Sequence, residues 1–105
     1  MTLRIYGEIL AFVRRARPVM DAIGKQDADL GRQGRRALTS MPLNVAEGMW
    51  RRGGNSRIRF ETAMGSTNEV KAVLEVAQAL GYAEIDAALL DEADRIARTL
   101  HRLCK

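Results

Sequence analysis

Cysteine and histidine occur once each in these 105 residues, as Cys104 and His101. A lone cysteine closes no intramolecular disulfide and builds no thiolate metal cluster, which fits a reducing compartment. One histidine cannot supply the Glu-x-x-His pair on each of two helices that a carboxylate-bridged di-metal bundle requires. It also leaves Ser-His-Asp and Cys-His arrangements short of partners. Aromatic residues make up 5% of the chain, and proline occurs only at Pro18 and Pro42. Strand-like alternation, internal repeats and low-complexity tracts are absent, and no glycine-rich phosphate loop follows a strand. No apolar run approaches the roughly 20 residues that cross a bilayer, and there is no long apolar h-region of an export signal. The expectation is a soluble cytoplasmic protein with no membrane partner, no metal or other cofactor and no catalytic residues.

What is present reads as helix. At 105 residues the chain is one domain, residues 1–105, near the size where association with other chains often adds stability. Ile5, Ile9, Phe12, Ala16, Val19 and Ile23 advance in alternating steps of four and three, which places them on one stripe of a first helix. Pro18 lies inside that stripe, and its missing amide predicts a bend or a fresh start. Residues 24–29 read as a connection. Leu30, Gly34, Ala37, Met41, Val45 and Gly48 or Met49 continue the rhythm in a second helix, where Gly34, Ala37 and Ala46 admit close approach of a neighbour. Pro42 frees the Leu38 carbonyl, predicting a kink near residues 39–41, with the Thr39 and Ser40 hydroxyls placed to satisfy the freed groups.

Gly53-Gly54-Asn55 is the clearest break, and Asn55 or Ser56 is the expected cap of a third helix. That helix carries Phe60, Ala63, Thr67, Val70, Leu74 and Ala77 on one stripe and Val73, Val76 and Leu80 on a second, so it is either central or in contact with another subunit. Gly81 closes it. A fourth helix, starting near Glu84 or Asp86, presents Leu89, Ala93, Ile96, Leu100 and Leu103. The fold class that follows is all-α, an antiparallel up-down-up-down four-helix bundle with short loops.

The net charge of +4 is unevenly spread: residues 1–60 hold 12 Lys or Arg against 5 Asp or Glu, and residues 61–105 hold 5 against 8. Arg32, Arg35 and Arg36 form one cluster on helix two, and Arg51, Arg52, Arg57 and Arg59 bracket the glycine turn. At about 1.5 Å per residue the clusters lie about 25 to 30 Å apart, at opposite ends of the bundle. Guanidinium groups grip phosphates bidentately and stack on bases, so either cluster suits a nucleic-acid backbone. A solvated helix face is the plainer alternative for each. Trp50 beside Arg51 and Arg52 suits base stacking or packing against a neighbouring subunit.

Asn44 and Glu47 on helix two, with Ser66 and Glu69 on helix three, invite a catalytic reading, but hydrogen bonding across the two helices, or to the backbone freed by Pro42, accounts for them more simply. A buried carboxylate lacking such partners is costly. These residues belong to a wider pattern: Gln33, Arg36, Ala37, Ser40, Pro42, Asn44, Val45, Ala46, Glu47, Gly48 and Arg51, followed by Phe60, Ala63, Gly65, Ser66, Glu69, Gly81 and Tyr82. The pattern resembles the bacterial four helix bundle proteins, which include the products of intervening sequences in 23S ribosomal RNA genes and are related to the accessory variability proteins of diversity-generating retroelements. The match covers about residues 30–83, and the Ser-x-Pro-x-Asn-x-Ala-Glu-Gly run is closer to the intervening-sequence branch. The aromatic-proline entry common before helix two is replaced by Gly24-Lys25-Gln26. The resemblance implies a bundle that assembles as a homopentamer around a central channel. In the retroelement relatives, such a pentamer binds a reverse transcriptase and nucleic acid.

Three functions are then in play. The leading one is a non-enzymatic oligomeric bundle that binds RNA or DNA backbones through its clustered arginines. The second is a protein-interaction scaffold, such as an accessory subunit of a reverse transcriptase, whose arginines meet acidic protein surface. The third is a small-molecule or metal-binding bundle.

Overall fold

The computed structural model describes residues 3–105. Its four helices are α1 (Arg4–Gln26), α2 (Ala28–Trp50), α3 (Gly54–Ala79) and α4 (Ala87–Leu103). Each packs on its neighbour in sequence, most extensively α2 on α3, and α1 meets α4 to close the ring. The result is an up-down-up-down bundle measuring 42 × 23 × 19 Å, with no strand among the described residues. No helix is long and apolar enough to cross a membrane among those residues.

The core is built from the expected stripes. Ile9, Phe12, Met20 and Ile23 of α1, Met41 and Val45 of α2, Val70 and Leu74 of α3, and Ile96 and Leu100 of α4 are fully buried. Phe60, Ala63, Thr67 and Ala77 are buried as their spacing predicted, and Leu89 and Ala93 likewise, while Leu103 is only half-buried. Three inner positions differ. Met20 rather than Val19 faces the core, and Gly31 and Leu38 are buried on α2 while Leu30 is half-buried.

The prolines interrupt less than their chemistry suggested. α1 runs unbroken through Pro18, where Pro18 and Arg14, whose carbonyl loses its partner, both lie on the exposed side open to water. α2 runs unbroken through Pro42. The Thr39 hydroxyl donates to the Arg35 carbonyl at 2.9 Å rather than to Leu38, and the Ser40 hydroxyl is engaged by side chains.

The expected six-residue connection between α1 and α2 contracts to Asp27 alone. Its amide donates to the Ile23 carbonyl at 2.8 Å, ending α1, while its Oδ1 accepts the Leu30 amide at 3.0 Å, capping α2. So tight a joint presses the two backbones together: a Cβ on Gly31 would lie 2.5 Å from Gly24 Cα. At the opposite end, Gly53 takes φ +59 and opens α3 without a side-chain cap. Neither Asn55 nor Ser56 caps α3 as expected, because the Ser56 hydroxyl donates to the Gly48 carbonyl at 2.9 Å and so terminates α2. After α3, Gly81 at φ +76 forms a Schellman turn, with Gly81 N–H bonded to Gln78 O at 3.1 Å and Tyr82 N–H to Ala77 O at 2.9 Å. That turn brings the Tyr82 hydroxyl to Asp27 Oδ2, a long 3.5 Å hydrogen bond onto the α1–α2 joint. Asp86 then caps α4, its Oδ1 accepting the Ala88 amide at 2.9 Å.

Candidate functional site

The motif residues converge on the seam between α2 and α3. Antiparallel packing around a short turn sets residues a few positions before it against residues a few positions after it, and this register brings Ser40 and Asn44 to Ser66 and Arg59. Ser66 Oγ donates to Ser40 Oγ at 2.8 Å. Asn44 Nδ2 lies 2.9 Å from both Ser40 O and Ser40 Oγ, leaving its Oδ1 to accept Arg59 Nη1 at 3.2 Å. Four polar side chains therefore tie two helices together, in keeping with hydrogen bonding as the role of Asn44 and Ser66.

The carboxylates stand apart from this network. Glu47 is exposed and bonds within its own helix, accepting from Arg51 Nε at 3.3 Å and Nη2 at 3.2 Å. Glu69 is exposed and, with Gln33, Arg36, Ser40 and Ser66, lines a polar groove of about 380 Å³ between α2 and α3. Gly48 has a packing role: the Phe60 ring lies over it so closely that a Cβ there would be 2.6 Å from Cε1. Pro42 is half-buried between the two halves of the motif.

The arginines are placed more continuously than their spacing in sequence suggested. Arg32, Arg35, Arg36, Thr39, Leu43 and Asn44 surround an open groove of about 450 Å³ on the outer side of α2. Arg35 reaches over the α1–α2 crossing, its Nη1 3.0 Å from where a Gly24 Cβ would stand. Arg59 belongs with the turn in sequence, yet its bond to Asn44 carries its guanidinium to the groove's far end. Asn44 lies eight residues from Arg36, or about 12 Å along the helix, so Arg59 shortens the gap between the clusters.

Ion pairing takes up only part of this charge. Arg32 pairs with Asp29, Arg51 with Glu47 at 3.2 Å and Arg57 with Glu61 at 3.9 Å. All are exposed pairs of adjacent helical turns, worth at most about 0.5 kcal/mol and readily exchanged for another anion. Arg36 and Arg52 have no ion-pair partner among the described residues. Trp50 is 78% exposed, Leu43 61% and Ile58 57%, so this surface mixes cations with apolar groups.

The profile of the 23S rRNA-intervening sequence protein family matches residues 1–102. The chain belongs to that family. Comparison with curated proteins returns no match. Within the matched residues, Ser40, Asn44 and Ser66 of the pattern noted in the sequence meet at the α2–α3 seam, where Arg59 joins them.

Sequence reasoning missed two parts of this surface. The Asn44–Arg59 contact joins residues 15 apart across a turn and leaves no local signature. Thr39 and Leu43 line the groove although neither carries the charge that distinguishes the arginines. Their signal is spacing, since Arg32, Arg36, Thr39, Leu43 and Trp50 follow steps of three, four or seven and are all exposed. Among the described residues no group of three or more His, Cys, Asp or Glu is placed to hold a metal ion.

Proposed function

We propose that this family member is a non-enzymatic, cytoplasmic bundle that binds RNA or DNA through its phosphate backbone and works as a homopentamer. The observation that carries the reading is the α2 groove, where Arg32, Arg35 and Arg36 share one open surface and Arg59 extends it along the α2–α3 seam. Guanidinium forks along such an open groove suit phosphates spaced along a strand, and contacts of this kind need no base sequence. The chain's net charge of +4 favours the same partner.

Replacing Arg35 and Arg36 together by glutamate tests it. Binding of labelled RNA or DNA, followed at several salt concentrations, is expected to weaken. If each guanidinium neutralises one phosphate, their removal makes the slope of log K against log salt shallower by about 1.4 to 1.8. Unchanged affinity and slope would remove this groove from the site. Light scattering on the same sample reads the assembly, for which five times the 11.7 kDa chain mass is expected.

A second reading rests on a different observation. Leu43, Trp50, Ile58, Val76 and Leu80 are large apolar side chains between 45% and 78% exposed, a pattern that suits protein partners. In that reading the bundle is a scaffold, such as an accessory subunit of a retroelement reverse transcriptase, and the arginines meet acidic protein. A pentamer that ignores both nucleic acids would favour it, as would a retroelement beside the gene.

A further inference from the structure

We infer that the outer face of α2 takes a single strand rather than a duplex, with Trp50 as the platform on which an unpaired base stacks. The inference rests on the nucleic-acid reading above and names the class of nucleic acid. Arg36, Leu43 and Trp50 are spaced seven residues apart, so they lie on one stripe of the helix with only about 20° of drift per step. All three are exposed, and the stripe from Arg36 to Trp50 is about 21 Å long. At the 3.4 Å phosphate spacing of one B-form strand, that length matches about six stacked nucleotides, and fewer when the strand is extended.

The order of side chains along the stripe selects between the two forms. Arginines stand at both ends, Arg32 and Arg36 at one and Arg51 and Arg52 at the other, while the middle and the turn end carry Leu43 and Trp50. A duplex keeps the flat faces of its bases stacked on one another and offers a helix only base edges, sugars and phosphates, so the indole would find no face to stack on. Unpaired bases offer flat π faces and apolar edges, which an exposed tryptophan flanked by cations engages independently of sequence. Trp50 is 78% exposed, so packing within its own chain does not explain it. Directly after it the backbone turns extended at Arg51, with φ −99 and ψ 172, so the arginine pair follows Trp50 past the end of the helix. Arg52 has no ion-pair partner among the described residues and is left to meet the phosphate beside the stacked base.

Trp50 is the chain's one tryptophan, so its emission reports on this position alone. The test titrates full-length protein with an oligothymidylate of about ten nucleotides and, separately, with a blunt duplex of equal length. The expected result is quenching by the single strand, with Trp50→Ala weakening single-strand binding about 5- to 150-fold and leaving duplex binding unchanged. Trp50→Phe, which keeps an aromatic face, is expected to retain most of the affinity. Equal losses for strand and duplex, or unchanged emission at saturation, would overturn the stacking role while leaving the arginine groove standing. A change of assembly mass in Trp50→Ala would assign the ring to a contact between copies and overturn the inference as well. If the wild-type protein binds neither nucleic acid, the arginine reading itself falls.

Discussion

Two identical substitutions, Gly31→Ala and Gly65→Ala, are expected to act in opposite directions. Both glycines lie in helices, where alanine is favoured by up to about 1 kcal/mol. Around Gly65 an added Cβ meets nothing within 4 Å, so the propensity gain stands alone and the variant should be about 1 kcal/mol more stable. At Gly31 the added carbon would lie 2.5 Å from Gly24 Cα and 2.8 Å from Gly24 N, against an optimum near 3.5 to 4.0 Å. Those neighbours are backbone, so no rotamer change relieves them, and α1 must move off α2. Overpacking of a core costs about 1 to 3 kcal/mol even where side chains can adjust. Taking the upper end and subtracting the propensity gain leaves Gly31→Ala about 2 kcal/mol less stable. For a domain near 100 residues that lowers Tm by roughly 8 to 16 °C. Urea unfolding of the three proteins reads the difference directly, and running it at two protein concentrations exposes any linkage to assembly. A Gly31→Ala variant as stable as wild type would refute the close crossing of α1 and α2. A concentration-dependent loss in Gly65→Ala would place that residue in a contact between copies.

Asn44→Ala removes the acceptor of Arg59 and the donor to Ser40, and is expected to cost about 1 to 2 kcal/mol and to lower nucleic-acid affinity less than reversal of Arg35 and Arg36 does; unfolding and binding of the same variant measure both. Lys71 donates to Asp94 at 2.7 Å, and chiefly this hydrogen bond, opposed by burial and aided by the charges of Asp94, Glu75 and Asp91, raises its pKa above the ordinary lysine value. A raised folded-state pKa gives stability that is fully present at neutral pH and fades as pH climbs through that pKa, so wild type should lose stability in this alkaline range and Lys71→Met should lack that component. Equal alkaline slopes in urea midpoints measured from about pH 9 to 12 would rule the pair out.

The helices were legible because burial and spacing agree over several turns, and the discrepancies have local causes. A strict heptad lags a straight helix by about 20° every seven residues. Because α1 passes through Pro18 unbroken, the lag accumulates to about 40° over the two heptads from Ile5 to Val19, and Met20 faces inward instead. The double role of Asp27 is not local information, because serving two helices at once depends on where both arrive. Ser56 satisfied the sequence rule for an N-cap, but the orphan carbonyl of Gly48 lies within its reach and takes its hydrogen. In the site, Asn44 and Ser66 were recognisable from their helical spacing as hydrogen-bonding residues, whereas Glu47 and Glu69, expected beside them, stay exposed and Ser40, expected to serve the groups freed by Pro42, joins Asn44 and Ser66 instead. The arrival of Arg59 was not recognisable, since it depends on the register of α2 against α3 rather than on any feature of either segment.

That register also explains why one side of the bundle keeps its positive charge. Two acidic residues of the second half pair in seams that do not involve α2, Glu92 with Arg15 at 2.6 Å across α1–α4 and Asp94 with Lys71 across α3–α4, and Glu8 of α1 pairs with Arg95 of α4 at 3.2 Å. In the ring of helices α4 lies diagonally opposite α2, so none of these carboxylates pairs with the α2 arginines. Their only acidic partners among the described residues are Asp29 and Glu47 on the same helix, and the turn adds Glu61 for Arg57. The inner face of α2 is meanwhile built largely from Gly31, Gly34, Ala37 and Gly48, which seats it close against its neighbours and leaves its long side chains to the outside. Small residues within and unneutralised arginines without are thus two consequences of one packing arrangement. A field concentrated on one face, rather than averaged over the surface, raises the encounter rate of a polyanion with that face.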